Sequence, residues 1–373
     1  MKNPGMRLLA AVAIPVLIAL GWASREPPRS NGAPGDLPRV RTSQPDFAKE
    51  EQTADAAARM RLLKEWNVLM TWLDSEPRPT DEEIQEGLLA VRVAWTEMDP
   101  QVLAEMLKQL LATGADRTTG LDFEVGPHGF LRGWPSLRVF LLDVLAASDP
   151  EMAAGIAKGV LAETSSADEF AVALRSLTRE GRGRAKNEEL SAVFGQMLGR
   201  QDWWNSAGFA EAFDLARWVG SPGIAKKLVA WNGNPALKSM AMDEFAAEHP
   251  GAMLEVLASG QPVNGTDCAS LMARADPADS RQMATVDAYL RSPDRSPEEV
   301  SAFLQEFPLR SATTGYRLYG ETPAPYNYGQ IVAGDRAAYE RVRLWAVDPS
   351  LEKYRSDLDA LRQRLATWIE ETR

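Results

Sequence analysis

Seven helix-start signals are spread along this chain, and they constrain its fold more than any other feature. In each signal a residue that can cap a helix stands directly before a proline. The side-chain oxygen of Asp, Ser or Asn accepts a hydrogen bond from an amide of the first turn, and proline fits the first helical position because the amide there has no partner in the helix. The chain is therefore predicted to be mainly helical. The seven pairs are Asp99-Pro100, Asp149-Pro150, Ser221-Pro222, Asn234-Pro235, Asp276-Pro277, Ser296-Pro297 and Asp348-Pro349.

Residues 132–181 show the helical plan most clearly, as three amphipathic helices joined by short turns. From Leu137 to Leu145, and again from Ala153 to Leu161, apolar residues recur every three or four positions, which is the spacing of one helix face. Ser166 to Glu169 has the pattern of a capping box for the third helix, and Thr80 to Glu83 has the same pattern earlier. Because such a helix cannot bury its apolar face alone, neighbours joined by short turns are expected to pack antiparallel.

The remaining chain continues the pattern, and no segment shows the alternation of a strand. The predicted fold class is all-α: an irregular right-handed stack of antiparallel helix pairs, similar to an α-solenoid, with two long loops at 115–134 and 310–334. Further helices are predicted over residues 48–74, 81–95, 186–199, 203–219 and 222–231, from about Pro235, Pro250, Asp267, Pro277 and Pro297, and from Pro349 to the end of the sequence.

One stretch resembles a known repeat class. Pro135-Ser-Leu-Arg138, followed by Leu141-Leu-Asp-Val-Leu145 and then Asp149-Pro150, is similar to HEAT-type and related α-solenoid repeats. The resemblance covers mainly residues 135–180 and is weaker over 235–305. It implies a protein–protein scaffold and brings no catalytic residues with it.

The N-terminal residues have the layout of a targeting segment. Residues 1–23 combine Lys2 and Arg7 with an uncharged apolar run from Leu8 to Trp22, and small residues stand where a signal peptidase cleaves. We expect a cleaved secretory signal peptide, with an uncleaved inner-membrane anchor as the alternative. Residues 24–45, rich in proline and arginine, are predicted to be a disordered linker, and residues 46–373 to form the helical domain. The expected location is periplasmic or secreted.

Charge and residue counts exclude several classes of function. The net charge of the 373-residue chain is −11, which repels nucleic acid and leaves residues 1–23 as the expected membrane contact. Cys268 is the sole cysteine, so a disulfide within the chain is impossible. The two histidines, His128 and His249, are too few and too far apart in the sequence to suggest a metal site. We expect no metal and no cofactor, and no catalytic motif is present in the sequence.

The two long loops supply the candidate binding residues, since long loops in compact domains tend to be functional. The tyrosine-rich loop 310–334 is the first candidate and the loop 115–134 is the second. The candidate residues are Arg310, Tyr316, Arg317, Tyr319, Tyr326 and Tyr328 in the first loop, and His128, Arg132 and Trp134 in the second.

Three functions are compatible with these features. The leading expectation is an exported, non-enzymatic helical scaffold or protein-interaction module of the cell envelope, with a protein partner. The alternative is an enzyme or binder of envelope or extracellular polysaccharide on an α/α-toroid, suggested by the eleven tryptophans as platforms for sugar rings. A third possibility is a binder of small ligands or peptides that uses the tyrosine-rich loop.

Overall fold

The computed structural model describes residues 47–179, 184–260, 263–310, 318 and 328–371. The chain divides into two units, Met1–Phe47 and Ala48–Arg373, and the second contains nearly all of the described elements. The predicted signal peptide and linker lie outside the described residues. None of the described helices is both long enough and apolar enough to serve as a membrane-spanning segment.

The all-α prediction is confirmed. The helices are α1 (Phe47–Leu73), α2 (Asp81–Thr96), α3 (Pro100–Ala112), α4 (Leu137–Ser148), α5 (Pro150–Glu163), α6 (Ala167–Arg179), α7 (Arg184–Leu198), α8 (Ala207–Glu211), α9 (Asp214–Val219), α10 (Pro222–Ala230), α11 (Pro235–Glu248), α12 (Pro250–Ala258), α13 (Gly265–Ala273), α14 (Ser280–Arg291), α15 (Pro297–Glu306), α16 (Tyr328–Trp345) and α17 (Arg355–Glu371). Short 3₁₀ turns at Pro127–Gly129, Gln201–Trp203 and Pro349–Tyr354 separate some of them.

Most of the predicted helix starts are confirmed in atomic detail. The side chains of Asp99, Asp149, Ser221, Asn234 and Ser296 each accept a hydrogen bond from a first-turn amide, and a proline follows each of them in the first turn. The Thr80 capping box is formed in both directions. These starts depend on contacts between residues two or three positions apart, so the local sequence is enough to specify them.

Two of the seven signals do not start an α-helix where predicted. At Asp276-Pro277 the helix α14 begins only at Ser280, because Asp279 caps it instead and accepts from the amides of Arg281 and Gln282. Asp348-Pro349 opens the 3₁₀ turn that precedes α17.

Three other local predictions are wrong. The predicted helix 203–219 is divided into a 3₁₀ turn, α8 and α9, because Ser206 starts a new helix with its own side-chain cap. The loop predicted to end at 334 ends earlier, since α16 begins at Tyr328, where the sequence has no cap-proline pair. The Ser166 capping box is half formed, because the Glu169 carboxylate contacts other side chains instead.

A small β-hairpin lies inside the predicted loop 115–134, where no strand was expected. Strand β1 (Glu124–Val125) pairs antiparallel with β2 (Leu131–Gly133), and the 3₁₀ turn at Pro127–Gly129 joins them. Gly126 donates its amide to the Phe130 carbonyl across the turn at 2.7 Å. Two or three residues are too short for a strand to show in the sequence pattern.

Nine of the described helices from α7 onward form two layers. One layer contains α7, α9, α11, α13, α15 and α17, each in contact with the next, and the other contains α10, α12 and α14. In the N-terminal part, α4 contacts both α5 and α6, and α6 contacts α8. Packing between nearest and next-nearest helices is the contact pattern of an α-solenoid. The contact pattern of a helix stack is therefore at least as regular over α9–α15 as over residues 135–180, where the sequence resemblance is strongest.

Ion pairs join helices that are neighbours within one layer or pack directly on each other. Arg138, in the first turn of α4, forms an ion pair with Glu169 of α6, with 3.1 Å between Nε and Oε1. Arg217 of α9 forms one with Glu248 of α11, with 2.6 Å between Nη1 and Oε1. Arg274, directly after α13, contacts Asp243 of α11 at 2.6 Å. In all three the two residues are 31 positions apart in the sequence.

Gly220 provides a sensitive test of this packing. It ends α9 with a left-handed backbone (φ +62°). A side chain at this position would overlap the ring of His249, the residue directly after α11. We expect Gly220→Ala to lower the free energy of unfolding by about 2 kcal/mol or more, from backbone strain and overlap together. Urea denaturation followed by circular dichroism measures this change.

Gly155→Ala is the matched control, because Gly155 lies within α5 and a side chain there meets open space. This variant should gain up to about 1 kcal/mol from helix propensity. Equal destabilisation of both variants would contradict the assigned role of Gly220.

Candidate functional site

The second candidate loop is a structured hairpin rather than an open binding loop. Its ends are fixed by backbone bonds from Thr119 to the Pro135 carbonyl at 3.0 Å and from Leu137 to the Arg117 carbonyl at 2.9 Å. His128 lies exposed at its tip with a left-handed backbone (φ +60°). The hairpin is therefore held at both ends and presents its tip to solvent.

The structure does not bring its three candidate residues together. His128 is at the tip, and its carbonyl accepts a bond from Arg179 at 2.8 Å. Arg132 points outward from β2 and forms an exposed ion pair with Glu124. Trp134 is fully buried. They form no common surface, and only the tip and Arg132 are available to a partner.

Asp143 of α4 is the centre of the polar network beneath this hairpin. Its side chain is fully buried and accepts bonds from Arg175 Nη2 at 2.7 Å, Trp134 Nε1 at 3.0 Å and Arg92 Nη1 at 3.3 Å. The Leu131 amide of β2 also donates to it, at 3.2 and 3.3 Å to its two oxygens. Four groups from α2, β2, α6 and the segment before α4 therefore converge on one carboxylate.

Arginine side chains also surround the ring of Phe130 at the base of the tip. The guanidinium carbons of Arg92, Arg175 and Arg179 lie 5.3, 5.6 and 4.6 Å from the ring centroid, which is the range of cation–π contacts. Arg92 also donates to the Leu131 carbonyl at 3.1 Å, and Arg175 to the Gly129 carbonyl. The buried charges in this region thus attach the hairpin to the helices.

Removing the charge of Asp143 should be very costly. Asp143→Asn leaves the buried guanidinium of Arg175 without its counter-ion, and breaking a buried pair in this way costs about 3–5 kcal/mol. Urea denaturation should report that loss, together with faster proteolysis within residues 124–133.

The control for this prediction is Glu124→Gln, which breaks the exposed ion pair with Arg132 in the same hairpin. Exposed pairs contribute about 0–1 kcal/mol, so this variant should resemble the wild type. A small effect of Asp143→Asn, comparable with that of the control, would show that the network is not what holds the hairpin.

The first candidate loop is described only at its ends and at Leu318. Arg310 forms an ion pair with the buried Asp335 of α16, with 2.7 Å between Nη2 and Oδ1, so it connects the segment after α15 to α16. Tyr328 is the first residue of α16. The other four candidates, Tyr316, Arg317, Tyr319 and Tyr326, lie outside the described residues, as does the Tyr328 side chain. The binding role of this loop stays a prediction.

The tryptophans after the signal-like segment fill the core. Trp95, Trp134 and Trp345 are at most 1% exposed, and Trp66, Trp203 and Trp231 are also buried. The remaining four pack against the same core from partly buried positions: Trp72, Trp204, Trp218 and Trp368. Their burial explains the high tryptophan content without a sugar-binding surface.

Cys268 is buried in α13 beside Arg295 and Glu299. Burial raises the pKa of its thiol to about 11, chiefly because a thiolate would lose its hydration there. The thiol is therefore protonated at neutral pH, which makes it a poor nucleophile. Within the described part of the chain, no group of three or more His, Cys, Asp or Glu residues is arranged to hold a metal ion.

An open groove of about 450 Å³ between α11 and α13 is a further candidate site, which we call the α11–α13 groove. Its volume lies in the range of about 300–1,000 Å³ typical of ligand sites. The sequence does not reveal it, because its residues come from two helices and form no motif on either one. The lining residues are Ala236, Ser239, Met240, Met242, Asp243, Asp267, Ser270 and Leu271.

Comparisons of this chain with protein-family models, with curated proteins and with solved structures give no match.

Proposed function

We propose that this protein is an exported, non-enzymatic helical scaffold of the cell envelope, whose stacked helices bind a partner protein. The observation that supports this most is the use of the buried charges. Asp143, Arg175, Glu169, Arg217 and Arg274 all form ion pairs or hydrogen bonds that join one element to another. Such pairs build a firm framework, and they do not converge on a cleft where a substrate could react.

The two-layer stack supports the same proposal. Helix stacks of this kind present long, continuous surfaces, which suit contacts with extended partners. In this protein the layer that contains α11 and α13 carries an open groove, with the exposed side chains of Ser239 and Met240 at its edge. Export is proposed from the basic head and apolar run of residues 1–23.

The polysaccharide alternative has less support. It was suggested by tryptophans as stacking platforms, and the described tryptophans pack within or against the core. Without exposed indole rings on the described surface, sugar stacking loses the feature that suggested it.

Site-specific photo-crosslinking of the full chain in the cells that make it tests the scaffold proposal. A photoreactive residue is placed in turn at Met240 in the groove, at Val93 on α2 and at Val347 after α16, all of which are exposed. We expect a discrete adduct with another protein from at least one of these positions, recovered in the envelope or secreted fraction. The exposed position Gln101 on α3 serves as a polar control.

Absence of adducts at every position, in cells where the chain is present at its normal level, would contradict a scaffold role. Retention of the protein in the cytoplasm would contradict the envelope location. A variant that lacks residues 1–23 provides the cytoplasmic reference for that fractionation.

A further inference from the structure

The first two helices carry most of the exposed large apolar side chains in the described part of the chain. Five of these eight side chains are on α1 and α2, and the other three are spread over α11, α16 and the segment after α16. Single exposed apolar residues are ordinary on a protein surface, whereas a group of them on adjacent helices marks a surface that binds another protein. The five are Met60, Leu63, Val68, Leu89 and Val93.

Helices α1 and α2 lie side by side and run in opposite directions. Near one end of the pair the Trp95 indole of α2 donates to Glu65 of α1 at 2.8 Å. Near the other end Gly87 of α2 is so close to the Trp72 ring of α1 that a side chain at this glycine would overlap the ring. The two helices therefore form an antiparallel pair in which residues 65 and 95 are at the same level.

Each of the two helices has a stripe of exposed residues spaced four positions apart. Residues at this spacing are neighbours on one helix face. Both stripes lie on the side opposite the buried residues of the same helix, such as Leu69 on α1 and Leu88 on α2. We call the two stripes together the α1–α2 face. Its residues are Met60, Lys64 and Val68 on α1, and Leu89, Val93 and Glu97 on α2.

The α1–α2 face has a cation on one helix and an anion on the other. Lys64 of α1 and Glu97, directly after α2, are both exposed, and neither forms an ion pair with another described residue. The contact between Glu65 and Trp95 sets the levels, so Lys64 and Glu97 lie within one residue of the same level. By the same count Val68 and Val93 are also at nearly the same level.

This arrangement is complementary to a second copy of itself. A half-turn about an axis parallel to the helices brings α1 of one copy onto α2 of the other and leaves every level unchanged. Lys64 of each copy then faces Glu97 of the other, and Val68 faces Val93. Every contact occurs twice, as an isologous interface requires. The four helices form an antiparallel bundle with short loops, which is a common packing of two helix pairs.

We propose that the α1–α2 face joins two copies of this protein into a symmetric dimer. The paired parts of the helices are about 20 Å long and lie about 10 Å apart, so the dimer buries about 1,000 Å² in total. Interfaces of this size belong to weak, reversible complexes, and we expect a dissociation constant in the micromolar range. The dimer goes beyond the scaffold proposal and does not depend on it.

Exchanging the two charges of the face tests the dimer. In Lys64→Glu two acids meet at each contact, and in Glu97→Lys two bases do, so each variant alone should dimerise about tenfold more weakly than the wild type. An equal mixture of the two variants restores opposite charges at both contacts. We expect the mixture to form heterodimers as strongly as the wild type forms homodimers. Sedimentation velocity of the full chain over a concentration series, with one variant fluorescently labelled, measures these affinities.

Val93→Asp tests the apolar part of the face, and Val347→Asp is its matched control. Both valines are exposed, but only Val93 lies on the α1–α2 face. Val93→Asp should weaken dimerisation at least tenfold, because it removes apolar burial and adds a charge to the centre of the interface. Val347→Asp should leave the affinity unchanged. Circular dichroism confirms that all variants are folded.

Three results would overturn the inference. The first is a wild-type chain that sediments as a monomer at every concentration, as it would if this face bound an unrelated protein or a segment of its own chain. The second is a mixture of Lys64→Glu and Glu97→Lys that dimerises no better than either variant alone. The third is a dimer that ignores the substitutions, because residues 1–23 or another surface hold it together.

The dimer and the scaffold role can fail separately. In the crosslinking experiment an adduct with the mass of two copies reports the dimer and does not count as a partner. Charge-dependent dimers without any adduct to a different protein leave the dimer standing and remove the scaffold role. Adducts to a different protein from a chain that stays monomeric do the reverse.

Discussion

The arrangement of the hairpin and the surrounding helices depends on a buried ion pair between Asp143 and Arg175. Removing both from water costs several kcal/mol per ion, and their attraction offsets this only if further hydrogen bonds satisfy the remaining atoms. The indole of Trp134, the Leu131 amide and Arg92 supply such bonds to Asp143. Any displacement of the hairpin would leave part of this charge unsatisfied, so the hairpin belongs to the framework of the domain.

Similar ion pairs connect helices further along the chain, in less buried form. Arg217 with Glu248 and Arg274 with Asp243 each link same-layer neighbours, and each pair spans 31 positions. A stack is stabilised mainly by contacts between adjacent repeats, so these two ion pairs help to fix the position of α11 on α9 and of α13 on α11. The apolar core is continuous through these steps and includes six buried tryptophans.

The sequence predicts what depends on neighbours along the chain and misses what depends on the fold. Helix starts at Asp149 and Asn234 were predictable, since the cap and its amide are two or three residues apart. Helix α16 begins at Tyr328, where the sequence has no cap-proline pair, and sequence analysis did not predict it. His128 and Trp134 are close in the sequence, yet one is exposed and the other buried, because the hairpin and the Asp143 network separate them.

The groove could not be predicted for a related reason. Its two sides lie on α11 and α13, which are separated in the sequence by α12, and neither side alone forms a recognisable sequence motif. The 31-residue recurrence of acid and base was the signal that could have placed these two helices side by side. It is visible only when charges are compared across a whole helix pair.

Hydrogen exchange of the Leu131 amide in the full chain tests the central role of the buried carboxylate most directly. This amide donates to the two carboxylate oxygens of Asp143 at 3.2 and 3.3 Å. The account predicts that it is protected as strongly as the core amides of α4 and α6, since all open in one cooperative step. Exchange at the rate of an exposed loop amide, with α4 and α6 still protected, would contradict it.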